Sequence, residues 1–150
     1  MHSNPRIQGI VQKLKQAGCR ITPQRLAILE VVTESRDHLT AEQIHAQVAA
    51  RFPTTSLATV YKTVNLLRDE GELIELGFSG SAGTRYDGAR PNPHPHLICV
   101  RCERILDPEI RLFDELPREL TETYGFRLLN HRIDIYGICP ECQAREKTSP

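Results

Sequence analysis

The sequence predicts an α+β fold in two parts, a helical first half and a second half of short strands and helices. Three observations lead to this prediction. Apolar residues recur at helical spacing through the first half, and two extended segments around a Gly- and Ser-rich turn follow them. A proline-rich stretch then precedes segments in which apolar and polar residues alternate. The 150 residues suffice for one ordinary domain or two small ones.

Helix-starting residues punctuate the first half. Thr22 precedes Pro23, which matches an N-cap followed by proline at the first helical position. Thr40 and Gln43 fit a capping box, and Ser56 is a further N-cap. With an earlier helix on the stripe Ile7, Ile10, Val11 and Leu14, which Gly18 ends, the pattern predicts short helices joined by tight connections.

Extended segments at 73–76 and 84–87 flank the turn at 77–83 and predict a β-hairpin. Helices followed by such a hairpin form the winged version of the helix-turn-helix. Residues 88–95 hold three prolines, which predicts a stiff hinge between two domains.

Beyond the hinge we expect strands at 96–100 and 104–107 around a two-cysteine turn. A helix is predicted over 109–124, in two pieces or kinked at Pro117. Residues 126–139 alternate and predict a longer strand that carries His131.

The composition is that of a globular protein, with 39% hydrophobic and 25% charged residues. Apolar runs such as 97–100 are too short to span a bilayer, and the first residues lack the apolar core of a secretory signal. We therefore expect a cytoplasmic protein with no membrane partner, whose cysteines are thiols or metal thiolates.

The zero net charge hides an asymmetry along the chain. Residues 1–68 hold nine Lys and Arg against four Asp and Glu, whereas residues 69–150 hold ten against fifteen. A basic half joined to an acidic half suggests that only the first part meets a polyanion.

Four of the five cysteines form two C-x-x-C pairs, Cys99 with Cys102 and Cys139 with Cys142. Two such pairs on separate segments predict a tetrahedral structural zinc site that staples distant parts of the chain. A thioredoxin-like role would need one pair in a βαβ setting, which the pattern lacks. Cys19 is unpaired, and we interpret it as a buried core thiol.

The helix after Ser56 is suited to a DNA major groove. Leu57, Val60 and Val64 form its inward stripe. The side chains left to meet bases and phosphates are Thr59, Tyr61, Lys62 and Thr63. A helix N-terminus at Ser56 can also hold a phosphate.

Together these motifs resemble the ferric uptake regulator (Fur) family over nearly the whole chain. The segments that carry the resemblance are residues 20–25, 38–41, 56–63, 85–87, 94–102 and 136–142. The resemblance implies a winged-helix DNA-binding domain at 1–87, a hinge at 88–95 and an α/β dimerisation domain with structural zinc at 96–150. It implies a homodimer that binds double-stranded DNA at an AT-rich palindromic operator and takes no small-molecule substrate. It matches Tyr61 to a base-contacting position and Lys15 to one that reaches the minor groove. With the helix face described above, the predicted DNA-binding residues are Lys15, Arg20, Arg25, Ser56, Thr59, Tyr61 and Lys62.

The sequence His94-Pro95-His96 places two imidazoles on the hinge, near carboxylates. The family's regulatory metal positions coincide here with His38, Asp87, His94, His96 and Asp107. Nitrogen and oxygen ligands without sulfur suit Fe(II), Mn(II) or Zn(II). The resemblance implies that Fe(II) or Mn(II) bound by both domains fixes their angle, and so favours the DNA-binding state.

Two features bear on the branch of the family. Asp87 and Asp107 resemble the peroxide-responsive PerR-type branch, in which peroxide oxidises a ligand histidine; the matching positions are His38 and His94. A third metal site of some relatives lacks its acid here, because Pro95 stands in that place, so we interpret His131 as a strand residue. Glu103 replaces a glycine that usually follows the second cysteine, which predicts a slightly distorted turn.

Other functions stay open at this point. Within the family, the alternative is an iron- or zinc-uptake regulator. A zinc hydrolase using His94, His96 and a carboxylate is a second possibility, although no further acid–base group accompanies them, and we expect no enzyme activity. A zinc-stabilised interaction module without a DNA role is a third, and steeply salt-dependent operator binding would exclude it.

Overall fold

The computed structural model describes residues 4–77, 83–89 and 92–148. The chain divides into two compact units, Met1–Pro91 and Asn92–Pro150. Residues 78–82 of the predicted turn and residues 90 and 91 of the predicted hinge lie outside the described residues. No helix in the described ranges is long and apolar enough to cross a bilayer.

The described part of the first unit is a winged helix-turn-helix, as predicted. Its helices are α1 (Pro5–Gln16), α2 (Pro23–Glu34), α3 (Ala41–Ala49) and α4 (Leu57–Asp69). Its strands are β1 (Leu39–Thr40), β2 (Ile74–Leu76) and β3 (Arg85–Asp87), in the antiparallel order β1-β3-β2. The hairpin is confirmed, whereas β1 was not predicted, because two residues are too few to show alternation.

The predicted caps hold the ends of these helices. The Thr22 hydroxyl accepts the backbone N–H of Arg25 at 3.1 Å, and the Ser56 hydroxyl accepts that of Thr59 at 3.1 Å. Thr40 and Gln43 form the reciprocal capping box. These bonds satisfy helix N–H groups that have no partner within the helix.

The core of the first unit is built from the apolar stripes of the helices and the inner face of the hairpin. Its most buried members include Leu14, Ile28, Leu29, Ile44, Val60, Val64 and Leu67. Cys19 is only partly buried and packs against this core, so it is less enclosed than predicted. The packing fixes α4 with its remaining face outward.

The described part of the second unit is a small α/β structure. Its elements are β4 (His96–Cys99), β5 (Ile105–Leu106), α5 (Arg111–Tyr124), β6 (Asp134–Gly137) and α6 (Pro140–Thr148). The strand order is β5-β4-β6, with β4 antiparallel to β5 and parallel to β6. The β4–β5 pairing confirms the two strands predicted around the cysteine turn.

Two predictions for the second unit differ from the structure in detail, and one helix was not predicted. The long strand shrinks to β6, which leaves His131 outside it, because β4 is four residues long and the prolines before it have no N–H to extend the ladder. Helix α5 runs through Pro117 as one helix rather than two pieces, with the Thr121 hydroxyl donating to the Pro117 carbonyl at 3.0 Å, and a kink there stays a prediction. Helix α6 was not predicted, because it lacks an apolar stripe.

We predict that Gly88→Ala destabilises the first unit. A Cβ at this position would lie 2.3 Å from Val32 Cγ1 and 2.7 Å from the Val32 carbonyl oxygen on α2. Such overpacking costs about 1–3 kcal/mol. Urea unfolding followed by circular dichroism measures the change.

Gly9→Ala is the matched control, because a Cβ in the middle of α1 meets nothing within 4 Å. It should raise the free energy of unfolding by about 0.5–1 kcal/mol. Equal stabilities of Gly88→Ala and the wild-type protein would contradict the close approach to Val32.

Candidate metal centres and nucleic-acid interface

The four paired cysteines converge in the second unit. Cys99 ends β4, Cys102 follows in the turn, and Cys139 and Cys142 lie at the start of α6. Their sulfur atoms all lie within 4.8 Å of one another, and Cys102 Sγ is 3.8 Å from Cys139 Sγ. Tetrahedral zinc with Zn–S bonds of about 2.3 Å separates its sulfurs by about 3.8 Å. The cluster therefore fits zinc, as the spacing predicted.

The surroundings shift the pKa values of two of these thiols in opposite directions. Backbone N–H groups near Cys102 and Cys139 lower the pKa of the Cys99 thiol to about 6, and the Cys139 N–H donates to its sulfur at 3.3 Å. The Cys139 thiol and burial raise the pKa of Cys142 to about 12. Four thiolates this close repel one another, and a divalent cation among them would remove that penalty.

An ion pair ties the two cysteine turns together beside the sulfurs. Arg104 Nη1 and Nη2 donate to Glu141 Oε1 and Oε2 at 3.0 and 2.8 Å. The Arg104 guanidinium lowers the pKa of the Glu141 carboxyl. Glu103, in place of the usual glycine, has a φ of 62°, which is the left-handed region that favours glycine. The turn that holds Cys99 and Cys102 therefore keeps the backbone conformation that a glycine would adopt. The expected distortion is strain in the Glu103 backbone.

In the first unit, strand pairing brings together two of the predicted regulatory ligands. His38 precedes β1 and Asp87 ends β3, and these strands pair with Leu39 opposite Tyr86. His38 Nε2 lies 3.3 Å from Asp87 Oδ2, and both side chains are buried. The pair presents one imidazole and one carboxylate at the same place, which suits a cation.

The second unit brings together the other three. Asp107 follows β5, which pairs with β4 so that Leu106 faces Leu97, next to His96. Asp107 Oδ2 is 3.6 Å from His94 Nε2, and Asp107 Oδ1 is 3.8 Å from His96 Nε2. The two imidazole rings have centroids 4.6 Å apart. This group offers two nitrogens and a carboxylate.

His94 and His96 each use their other nitrogen to contact an oxygen. His94 Nδ1 is 2.7 Å from the Asn92 carbonyl oxygen, and His96 Nδ1 is 3.3 Å from Asp134 Oδ1. Because a carbonyl and a carboxylate only accept, each Nδ1 is the donor in these contacts, which leaves each Nε2 facing Asp107. The Nε2 atoms on the Asp107 side are thus prepared to bind a metal. Asp134 was missed by the sequence reasoning.

Helix α4 presents the predicted nucleic-acid face of the first unit. Tyr61 and Lys62 are exposed, and Thr59 is partly exposed. The Tyr61 hydroxyl donates to Glu42 Oε1 on α3 at 3.1 Å. Thr63, in contrast, is fully buried and donates to the Thr59 carbonyl at 2.7 Å, so it cannot meet DNA as predicted. It follows the inward Val60 by three residues and falls on the same face.

The other predicted DNA-binding residues lie at or near the ends of α1, α2 and α4. Lys15 and Arg20 are exposed, at the end of α1 and in the loop after it. Arg25, on α2, is partly buried, and its Nη1 donates to the Arg20 carbonyl at 2.7 Å. Ser56 is exposed at the first turn of α4, with its hydroxyl engaged in the cap and 2.9 Å from the Thr59 hydroxyl. The basic side chains thus lie on the surface of the basic half.

We predict that Cys99→Ser lowers the zinc content of the purified protein and unfolds the second unit. The substitution removes one of four thiolates, and serine oxygen is a poor zinc ligand. Zinc is measured by mass spectrometry of the metal, folding by circular dichroism and association by ultracentrifugation, which should show loss of the dimer. Cys19→Ser is the matched control and should keep its zinc, because Cys19 belongs to the first unit. A zinc-loaded, folded Cys99→Ser protein would refute the structural zinc assignment.

Several known proteins are similar to this chain in sequence and in fold. The sequence profile of the ferric uptake regulator family matches residues 16–136. The peroxide operon regulator of Bacillus subtilis (strain 168) is 39% identical over 136 residues, which cover 91% of this chain and 92% of that protein. The peroxide-responsive repressor PerR of Staphylococcus aureus (strain USA300) is 38% identical over 133 residues, which cover 89% of this chain and 88% of that one.

Among solved structures, the Helicobacter pylori ferric uptake regulator Fur, described as having three functional metal binding sites, matches with a TM-score of 0.79. The identity is 27%, and the match covers 91% of each chain. A match over 91% of the chain extends into both units, and the family match over residues 16–136 includes both ligand groups.

Proposed function

We propose that this chain, which belongs to the ferric uptake regulator family, is a homodimer whose regulatory cation is bound jointly by the ligand groups of its two units. The chain is a metal-responsive transcriptional repressor of that family and not an enzyme, so the hydrolase alternative is set aside. One observation carries the proposal: each unit presents a sulfur-free ligand group, His38 with Asp87 in the first and His94 and His96 with Asp107 in the second.

The donor atoms favour a different metal from the cysteine cluster. Imidazole nitrogens and carboxylate oxygens suit Fe(II) or Mn(II), whereas four thiolates select zinc. One chain can therefore bind two different metals, each at the site whose ligand atoms favour it. We assign zinc to Cys99, Cys102, Cys139 and Cys142, and the exchangeable Fe(II) or Mn(II) to the five nitrogen and oxygen ligands.

Regulation then follows from shared ligation. His38 and Asp87 are anchored to the sheet of the winged helix-turn-helix, and the other three ligands are anchored to the sheet of the second unit. A cation that binds all five has higher affinity for the arrangement that gathers them, so its binding shifts the population toward that arrangement. We infer that this arrangement is the one that binds the operator, with a coupling of about 1–3 kcal/mol.

The expected DNA contacts lie on the first unit. Helix α4 presents Tyr61 and Lys62, and the wider surface carries Lys15 and Arg20. A dimer with twofold symmetry presents two such helices, which matches two inverted half-sites. We therefore propose an AT-rich palindromic operator, bound in the cytoplasm. The net positive charge of residues 1–68 favours contacts with DNA phosphates. An interaction module without a DNA role would not need these contacts.

Exposed apolar side chains support self-association through the second unit. Helix α5 has no buried residue, although Leu112, Leu120 and Tyr124 lie along it. Further exposed apolar residues of this unit are Leu106, Ile110, Phe126, Leu129, Ile135 and Tyr136. Apolar surface on this scale marks a protein interface, and a second copy of the chain covers it in the proposed homodimer.

The similarity to peroxide-responsive relatives, together with Asp87 and Asp107, supports a response to hydrogen peroxide. Bound Fe(II) supplies the redox chemistry that activates the peroxide. Overall, a ligand imidazole gains one oxygen atom from H₂O₂, and the other oxygen leaves as water. His38 and His94 are the proposed targets of this oxidation. Loss of either ligand would lower the affinity for the cation and so release the protein from the operator.

We predict that His38→Ala leaves a folded, zinc-containing dimer that no longer gains operator affinity from Mn(II) or Fe(II). In the wild-type protein the added metal should tighten operator binding by about 5- to 150-fold, the range of typical allosteric couplings. Fluorescence anisotropy with a labelled palindromic duplex, at fixed salt, measures this gain for zinc-only protein with each metal added.

His131→Ala is the control, since this histidine lies outside both ligand groups, and it should keep the gain. Full metal-dependent binding by His38→Ala would show that His38 is not a regulatory ligand. A gain with Zn(II) alone would instead favour a zinc-uptake regulator of the same family.

We predict that peroxide abolishes operator binding by the Fe(II)-loaded protein and leaves the Mn(II)-loaded protein active. Peptide mass spectrometry should find the mass of one added oxygen atom on the peptide with His38 or the one with His94. An Fe(II) form that keeps its operator affinity after peroxide, with both histidines unmodified, would favour an iron-uptake regulator.

A further inference from the structure

His96 differs from His94 in the group that holds its second nitrogen. The Nδ1 of His94 meets a backbone carbonyl, whereas that of His96 meets the side chain of Asp134. His96 is 1% exposed, and the Asp134 side chain is 15% exposed. A carboxylate therefore lies next to a buried imidazole on the side away from Asp107.

The backbone fixes this contact. Strands β4 and β6 run parallel, with His96 opposite Asp134, and the His96 N–H donates to the Ile133 carbonyl at 2.9 Å. The Arg132 Nε donates to Asp134 Oδ2 at 2.6 Å, which leaves Oδ1 for the imidazole. Arg132, Asp134 and His96 thus form a chain of charged hydrogen bonds that starts at the surface and ends at Nδ1.

A carboxylate at Nδ1 has two physical effects on the other nitrogen. It keeps the proton on Nδ1, so that Nε2 has its lone pair directed toward Asp107, and it holds the ring in one orientation. It also makes the imidazole a stronger electron donor than one bonded to a neutral carbonyl. Both effects favour cation binding through Nε2.

We propose that Asp134 is a positioning residue for the regulatory cation, which acts through His96 and does not bind the ion itself. The proposal rests on the proposed function, because it takes His96 as a ligand. Asp134 sets the tautomer and direction of His96, and Arg132 sets the direction of Asp134. Outer-sphere carboxylates of this kind change metal affinity by about 10- to 100-fold.

The test compares Mn(II) binding by zinc-loaded, full-length variants, measured from the free Mn(II) signal in electron paramagnetic resonance. Asp134→Ala should weaken Mn(II) binding by about 10- to 100-fold. Asp134→Asn should lose less, because the amide oxygen still accepts a hydrogen bond but carries no charge. Glu115→Gln, which removes an exposed carboxylate of the same unit, should bind as the wild-type protein does.

A double-mutant cycle with His96→Ala separates positioning from simple attraction by charge. If Asp134 acts through His96, Asp134→Ala causes no further loss in the His96→Ala protein. An equal loss in both backgrounds would overturn the proposal, because the carboxylate would then act on the ion directly or at a distance. Wild-type affinity of Asp134→Ala would also overturn it.

A wrong ligand set and a wrong role for Asp134 would give different binding results. If His96→Ala itself binds Mn(II) as the wild type does, the ligand set of the proposed function is wrong. If His96→Ala loses affinity and the Asp134 variants do not, only the role of Asp134 is wrong. As a readout without Mn(II), long-range ¹H–¹⁵N spectra should place the His96 proton on Nδ1 and show Asp134→Ala shifting it toward Nε2; a wild-type proton on Nε2 would refute the proposal.

Discussion

The second unit depends on what holds four mutually repelling sulfurs together. Its described buried apolar residues are Ile98, Cys99 and Cys142, two of which belong to the cysteine cluster. The first unit, in contrast, buries a broad set of aliphatic side chains from all four helices. So small an apolar core within one chain offsets little of the conformational entropy of ordering this segment, so other sources of folding free energy are needed. Zinc binding supplies folding free energy that the core does not, which explains why the cysteines join β4 to α6 rather than lying within one loop.

Strand pairing is the second constraint, because it places four of the five proposed regulatory ligands at or next to the end of a strand: His38, Asp87, His96 and Asp107. The two-residue β1 aligns His38 with Asp87, and the β4–β5 pairing aligns Asp107 with His96. Ligands held by a hydrogen-bonded ladder lose little freedom when a cation binds. Each ligand group is therefore assembled within its own unit before a cation binds, which lowers the entropy cost of binding there.

Much of the fold could be predicted because it rests on local signals. Thr22, Thr40 and Ser56 each cap a helix, as expected, and the spacing of the cysteine pairs predicted their cluster. What could not be predicted depends on partners distant in sequence. Asp134 is significant only because β6 pairs with β4 in one register, and Thr63 is buried because its helix face packs inward despite its hydroxyl. The length of the strand predicted over 126–139 was overestimated. Alternation shows which residues could pair, but not how long the neighbouring strand is.

Strand β4 links the cysteine cluster to the imidazole and carboxylate group of the second unit. His96 stands at its first position and Cys99 at its last, about 10 Å apart at a rise of about 3.3 Å per residue. The same strand pairs with β6, which carries Asp134, and β6 leads through Cys139 into α6. The zinc cluster therefore fixes one end of both strands, and the imidazole with its carboxylate lies at the other end. Zinc on the four thiolates would thus set the geometry in which the nitrogen and oxygen ligands of this unit meet the proposed second cation.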